Sequence, residues 1–161
     1  MSVAAHGGHI DKFIGDGMMA FWVVSETEPA NLKCLQALRA AEEAIKAVAK
    51  IRIGGRALHL RVGLHIGMVL SGDFGSTTRH QFTLIGPEVN KAARLEQVRP
   101  EDVLQGSTEL GLIRLSAEFR EELSELVKRR YGHAVKAKAK NIGEIVLFCW
   151  SPLRQKSKQP Q

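Results

Sequence analysis

Cysteine is scarce, and no apolar stretch is long. The two cysteines, Cys34 and Cys149, lie in apolar surroundings with neither C-x-x-C nor histidine spacing. That excludes a disulfide framework or a thiolate zinc site and reads both as small buried hydrophobes in a reducing compartment. The longest apolar run, Met18 to Val24, is far too short to span a bilayer, and the first residues lack the basic-then-apolar layout of a signal peptide. No membrane segment is expected, and a cytoplasmic location is. Aromatic residues are few, 6% of the chain, and no aromatic ladder or groove-reading helix accompanies the net charge of +6. The basic clusters, Lys128 to Arg130 and Lys136, Lys138 and Lys140, therefore read as solvated faces, and no nucleic-acid partner is expected. What is present is ordinary soluble composition: 161 residues, 44% apolar and 25% charged, enough for one domain with a sizeable core.

The order of elements follows from periodicity. Gly7 to Ile14 and Met18 to Val24 flank Gly15-Asp16-Gly17 and predict a hairpin. From Pro29, Cys34, Leu38, Ala41, Ile45 and Val48 form a helical seam that should end near Gly54-Gly55. Leu58, Leu60, Val62, Leu64 and Ile66 alternate with polar residues or glycine, as in a strand with one buried face. A glycine-rich connection with Gly67, Gly72 and Gly75 then leads to a strand from Thr78 to Ile85. Further on come a short strand, Leu112 to Leu115, and a helix from Ala117 to Lys128 capped by Ser116 with Phe119, Leu123 and Leu126 or Val127 inward. Two last strands, His133 to Lys138 and Glu144 to Ser151, follow. Residues 1–153 are expected to form the domain and 154–161 a polar, disordered tail. Strand pairs joined by turns with single helices between them predict an α+β layer, an antiparallel sheet with helices on one face.

The sequence turns on Phe82 to Glu96. A strand breaks at Gly86-Pro87, where proline suits the first helical position, and a helix begins. At 100° per residue, Val89, Ala92, Ala93 and the stem of Glu96 share one side, while Asn90, Arg94 and Gln97 share another. An amide beside a rigid guanidinium fork suits an anion held in fixed geometry, although a lone N-x-x-x-R spacing is far more often just a surface asparagine and arginine on an ordinary amphipathic helix.

Several motifs in register resemble the class III nucleotidyl cyclase catalytic domain: Lys12-Phe13-Ile14-Gly15-Asp16, Gly63-Leu64-His65-Ile66-Gly67, Gly72-Asp73-Phe74-Gly75 with Arg79, Phe82-Thr83, and Val89-Asn90-Lys91-Ala92-Ala93-Arg94-Leu95-Glu96. The resemblance runs to about Trp150. It implies a ferredoxin-like antiparallel sheet with helices packed on it, and a phosphorus–oxygen lyase that converts a nucleoside triphosphate to a cyclic monophosphate and pyrophosphate. Asp16 takes the position of a carboxylate for the Mg2+ or Mn2+ cofactor, although Asp-Gly is also favoured in any tight turn. Lys12 and Thr83 match the purine-reading pair, and lysine with threonine resembles the ATP-selecting version. An ammonium can donate to adenine N1 but meets another donor at guanine N1. Asn90 and Arg94 match the catalytic pair that holds ribose and stabilises the transition state, and Lys140 resembles the lysine on the terminal phosphates.

The resemblance further implies a homodimer with active sites shared across a two-fold interface, Gly67 to Arg79 forming an arm that reaches over it. Family members carry a first strand with another metal-binding aspartate and a phosphate-binding helix before the Lys12 motif, and this chain starts after both. The expected function is therefore an adenylate cyclase acting on ATP in intracellular signalling, with the first strand and helices missing. The alternative is a catalytically inactive cyclase-like module that binds nucleotide or dimerises with a complete cyclase.

Overall fold

The computed structural model of the chain describes residues 2–76 and 79–150, and side chains outside 74–82. The expected tail, the start of the Thr78 strand and the side chains of Arg79 and Phe82 lie outside the described residues. In order, the elements are α1 (Ser2–Ala5), β1 (His9–Ile14), β2 (Gly17–Phe21), α2 (Ala30–Val48), β3 (Arg52–Ile53), β4 (Arg56–Ala57), β5 (Val62–Leu64), β6 (Leu70–Ser76), β7 (Arg79–Ile85), α3 (Pro87–Gln97), β8 (Val103–Gln105), β9 (Ile113–Ser116), α4 (Ala117–Glu121), α5 (Glu125–Arg130), β10 (His133–Ala139) and β11 (Gly143–Cys149).

The central sheet has the strand order β5-β9-β11-β10-β8. All its pairs are antiparallel except β5 with β9, which runs parallel. The hairpins β1–β2 and β6–β7 are separate two-stranded sheets, and β1 packs beside β7. The α+β class read from the sequence is thus the class observed.

Two clusters of buried side chains lie on the two faces of the central sheet. On one face Cys34, Ala37, Leu38 and Ala41 of α2 meet Leu64, Ile113, Leu115, Phe119, Leu123 and Tyr131. On the other, Leu95 and Val98 at the end of α3 meet Val135, Ala137, Ile145, Leu147 and Cys149. A side chain such as Leu38 or Leu147, removed from water, contributes about 2 kcal/mol. Helices accordingly cover both faces rather than the single face expected. Alternation explains this: Val62 and Leu64 of β5 face α2, while Gly63 between them faces α3. A Cβ on Gly63 would lie 2.4 Å from the Ala92 carbonyl oxygen, so glycine is what lets helix and strand approach.

Other expectations are corrected in detail. Helix α2 stops at Val48, and Gly54 and Gly55, at φ 56° and 79°, instead turn the small β3–β4 hairpin, a geometry glycine adopts without strain. The alternating stretch from Leu58 to Ile66 forms a ladder only over Val62–Leu64, because its sheet neighbour β9 is four residues long. The helix from Ala117 breaks into α4 and α5 at Glu122–Ser124, and of the two alternatives Val127 packs inward while Leu126 is exposed. Ser116 caps α4 as expected, its Oγ accepting from the Phe119 N–H at 3.1 Å. Along α3 the packing residue is Leu95, fully buried, and Ala93 is exposed. Strand β8 and helix α1 were not legible, being short and without periodicity.

Both cysteines are free and buried. Burial, with the Glu122 carboxylate nearby, pushes the Cys34 thiol up to about 12, and burial raises Cys149 as well.

Candidate active site

The β1–β2 hairpin pairs His9 with Phe21 and Ile14 with Gly17, with an irregularity between Ile10 and Lys12. Its turn holds Asp16 exposed to solvent. On the strand behind it, Lys12 Nζ donates to Thr83 Oγ1, a residue 71 positions away on β7. The two positions named from the sequence as purine readers therefore meet. They do not meet alone. The Thr83 hydroxyl donates to Asp11 Oδ2 at 2.8 Å, and the same oxygen lies 3.2 Å from Lys12 Nζ. The Asp11 side chain is 1% exposed. Nothing in the sequence pattern points to this contact, because hairpin register alone cannot bring β7 to Asp11.

Asn90 and Arg94, one turn apart on α3, lie on the same side of the helix. Asn90 is exposed, and Arg94 donates through Nη1 to Gln97 Oε1. Arg94 and Lys140 line one cleft of about 240 Å³, together with Arg61, Arg99, Lys138 and a single carboxylate, Asp102. Such an excess of cations favours an anion such as a polyphosphate. The cleft also separates the neighbouring lysines. Lys138 and Lys140 line it, whereas Lys136 is paired with Glu144 at 2.5 Å. Arg61 and Arg99 were not singled out from the sequence, since neither belongs to a motif; Arg99 follows the end of α3 directly in the chain, and only the fold carries Arg61 to it.

Three further sets of contacts hold α3 in place. Buried Arg114 on β9 donates through Nη1 to the carbonyls of Leu95, Glu96 and Val98 at 3.1, 2.5 and 2.6 Å, and through Nε to Gly111 O at 3.1 Å. Carbonyls at a helix C-terminus lack intrahelical partners, so the guanidinium caps the helix from the sheet side. Burial lowers the Arg114 pKa from its usual value, and the nearby Arg61 acts in the same direction. At the other end, His65 is bonded to Glu88 of α3 and to Ser116 Oγ at 2.8 Å. Lys91 is paired with Glu118. Partial burial opposes ionisation of Glu118, but hydrogen bonds from Lys91, its own backbone N–H and Ser116 outweigh it and hold the carboxyl at about 2. It is ionised at any physiological pH, so the tie to Lys91 persists there.

Among the described residues no group of three or more His, Cys, Asp or Glu is arranged to hold a metal ion. Asp16 offers one hard oxygen ligand, which fits magnesium bound chiefly through substrate phosphate oxygens and water, not an all-protein cage. No helix of the described residues is long and apolar enough to cross a membrane.

The chain is similar to known proteins in sequence and in fold. The chain is 40% identical over 98 residues to "Adenylate cyclase 1" of Rhizobium meliloti (strain 1021), covering 58% of this chain and 15% of that protein. It is 33% identical over 103 residues to "Adenylate cyclase, terminal-differentiation specific" of Dictyostelium discoideum, covering 62% of this chain and 5% of that protein. The chain thus spans a small part of these relatives. Among solved structures, the guanylate cyclase domain of RhGC from Catenaria anguillulae, in complex with GTP, superposes with a TM-score of 0.68 at 19% identity over 93% of this chain and 75% of that one. A bacterial light-regulated adenylyl cyclase superposes with a TM-score of 0.60 at 25% identity, over 93% and 41%. Residues 4–144 match the sequence model described as "Adenylate and Guanylate cyclase catalytic domain", and the chain belongs to that class III nucleotidyl cyclase family.

Proposed function

We propose that this chain is an adenylate cyclase domain, converting ATP to 3′,5′-cyclic AMP and pyrophosphate. The observation that carries the reading is the Lys12–Thr83 contact, since it presents an ammonium donor beside a hydroxyl on one edge. Adenine offers an acceptor at N1 and a donor at N6, which that edge complements. Curated relatives named adenylate cyclases support the same substrate.

In the reaction the ribose 3′-oxygen attacks the α-phosphorus, the bond from that phosphorus to the bridging oxygen breaks, pyrophosphate leaves and the hydroxyl proton is released. A divalent ion, magnesium or manganese, when bound supplies charge neutralisation of the triphosphate, with Asp16 as one ligand. Arg94 is a permanent cation for the charge that develops on the phosphate oxygens, and Asn90 one turn away offers an amide to orient the ribose. Lys140, with Lys138 beside it in the same cleft, holds the terminal phosphates.

The active unit in this reading is a two-fold homodimer. The hairpin carrying Asp16 exposes Phe13, Ile14 and Met18, and the one carrying Thr83 exposes Leu70 and Ile85, with Met68 just before it 92% exposed. Apolar surface of this kind marks a partner face.

The test is product analysis: the whole protein, supplied with ATP or GTP and magnesium or manganese, is expected to form cyclic AMP from ATP in preference to cyclic GMP from GTP. Asp16→Ala is expected to abolish that turnover with the fold retained by circular dichroism. Full activity of the Asp16→Ala protein at saturating metal would remove Asp16 from the site, and no cyclic nucleotide from the parent would favour the module that only binds nucleotide or dimerises.

A further inference from the structure

We infer that Asp11 fixes the hydrogen-bond polarity of the Lys12–Thr83 pair and is a specificity-determining positioning residue for adenine. This rests on the adenylate cyclase reading and deepens it. A threonine hydroxyl by itself reads either edge, since it can donate to guanine O6 as readily as it accepts from adenine N6. Here it has no such freedom. The carboxylate oxygen Oδ2, 3.2 Å from the Lys12 ammonium, is an acceptor, so its 2.8 Å contact with Thr83 Oγ1 commits the single hydroxyl proton to Asp11. One of the two lone pairs takes Lys12 Nζ. What remains for a ligand is one lone pair.

Lys12 is constrained in the same way. Its Nζ donates to Thr83 and lies 3.2 Å from Asp11 Oδ2, so with both partners engaged one of its three N–H groups is left for a ligand. The trio therefore presents one donor and one acceptor. Adenine shows N1 as acceptor and N6 as donor, whereas guanine reverses both, with N1–H as donor and O6 as acceptor.

The state of Asp11 itself points to function rather than stability. Its side chain is 1% exposed, and among the described residues its Oδ1 is buried without a hydrogen-bond partner. A carboxylate held from water with half its acceptors idle costs stability, and sites where packing rules are broken in this way are where function is found. An apolar residue would fill the same position without that cost. The carboxylate does what an apolar side chain cannot: it withdraws the hydroxyl proton from the purine edge.

The probe is inosine triphosphate, which has the N1–H and O6 of guanine without the 2-amino group, so the ratio of kcat/KM for ATP to that for ITP reads this edge alone. In the whole protein, Asp11→Ala and the similarly sized Asp11→Leu are expected to lower that ratio about tenfold, because Thr83 regains a donor for O6. Adding Thr83→Asp to Asp11→Ala puts an obligate acceptor at position 83 and is expected to restore the ratio. The same ratio is read from displacement of a fluorescent ATP analogue, which requires binding but no turnover. Equal losses for ATP and ITP in both Asp11 variants, or loss of the fold in both, would make Asp11 a structural residue and overturn the inference. A parent that neither cyclises nor binds ATP would overturn the cyclase reading and this inference with it. A parent that prefers ATP, with Asp11 variants that keep the preference, would overturn this inference alone.

Discussion

Lys12 and Thr83 show how far single residues carry the argument. Each was legible as a candidate because it stands in a motif, and the structure joins them across 71 positions. Their proposed role predicts a change of substrate: Lys12→Glu with Thr83→Cys exchanges the donor for an acceptor at N1 and is expected to lower cyclic AMP formation from ATP and raise cyclic GMP formation from GTP. Measuring both kcat/KM values decides it, and a double variant with its parent's preference for ATP would remove the pair from base recognition. The role of Asp11 is not written in the local sequence, for a physical reason. Adjacent residues on a strand normally point to opposite faces, and only the irregularity between Ile10 and Lys12 together with the approach of β7 brings Asp11 and Lys12 to one hydroxyl.

At the scale of the element, α3 matters most, because it carries Asn90 and Arg94. Its beginning at Gly86-Pro87 was readable from local chemistry alone, and the helix does start at Pro87. Its orientation was not. Leu95, rather than Ala93, became the packing residue once Gly63 allowed the helix to settle onto β5 and Arg114 bound its last carbonyls. Arg114→Leu removes the shared donor from three carbonyls while keeping bulk, and is expected to cost about 3 kcal/mol in urea unfolding. It should also lower kcat by loosening the helix that positions Arg94. A stability change under about 0.5 kcal/mol would show that water satisfies these carbonyls instead.

For the whole molecule the proposal is a shared site. The family resemblance implies that Asp16 acts on one nucleotide with Arg94 of the partner copy. Mixing an Asp16→Ala protein with an Arg94→Ala protein, each inactive alone, is therefore expected to restore activity. In the mixed dimer one site carries both lesions and the other neither. Random pairing makes about half the dimers mixed, so activity should approach about a quarter of the parent's. A tag pull-down confirms subunit exchange, and no recovery after confirmed exchange would rule out the interfacial arrangement.

Patterns that depend on nearest neighbours along the chain were determined by sequence alone: the hairpin at Asp16, the seam of α2, the cap at Ser116, the start of α3 and the α+β class. Each rests on turn chemistry, helical spacing or alternation, which act over a few residues. Tertiary structure decided what depends on distance in the fold. It placed helices on both faces of the sheet and shortened the Leu58 to Ile66 strand to what β9 could pair. It brought Arg61 and the end of β10, with Lys138 and Lys140, to Arg94 and Arg99 at the end of α3, and enclosed Asp11 with Lys12 and Thr83. Those partners come from separate segments, and no local rule says which segments meet.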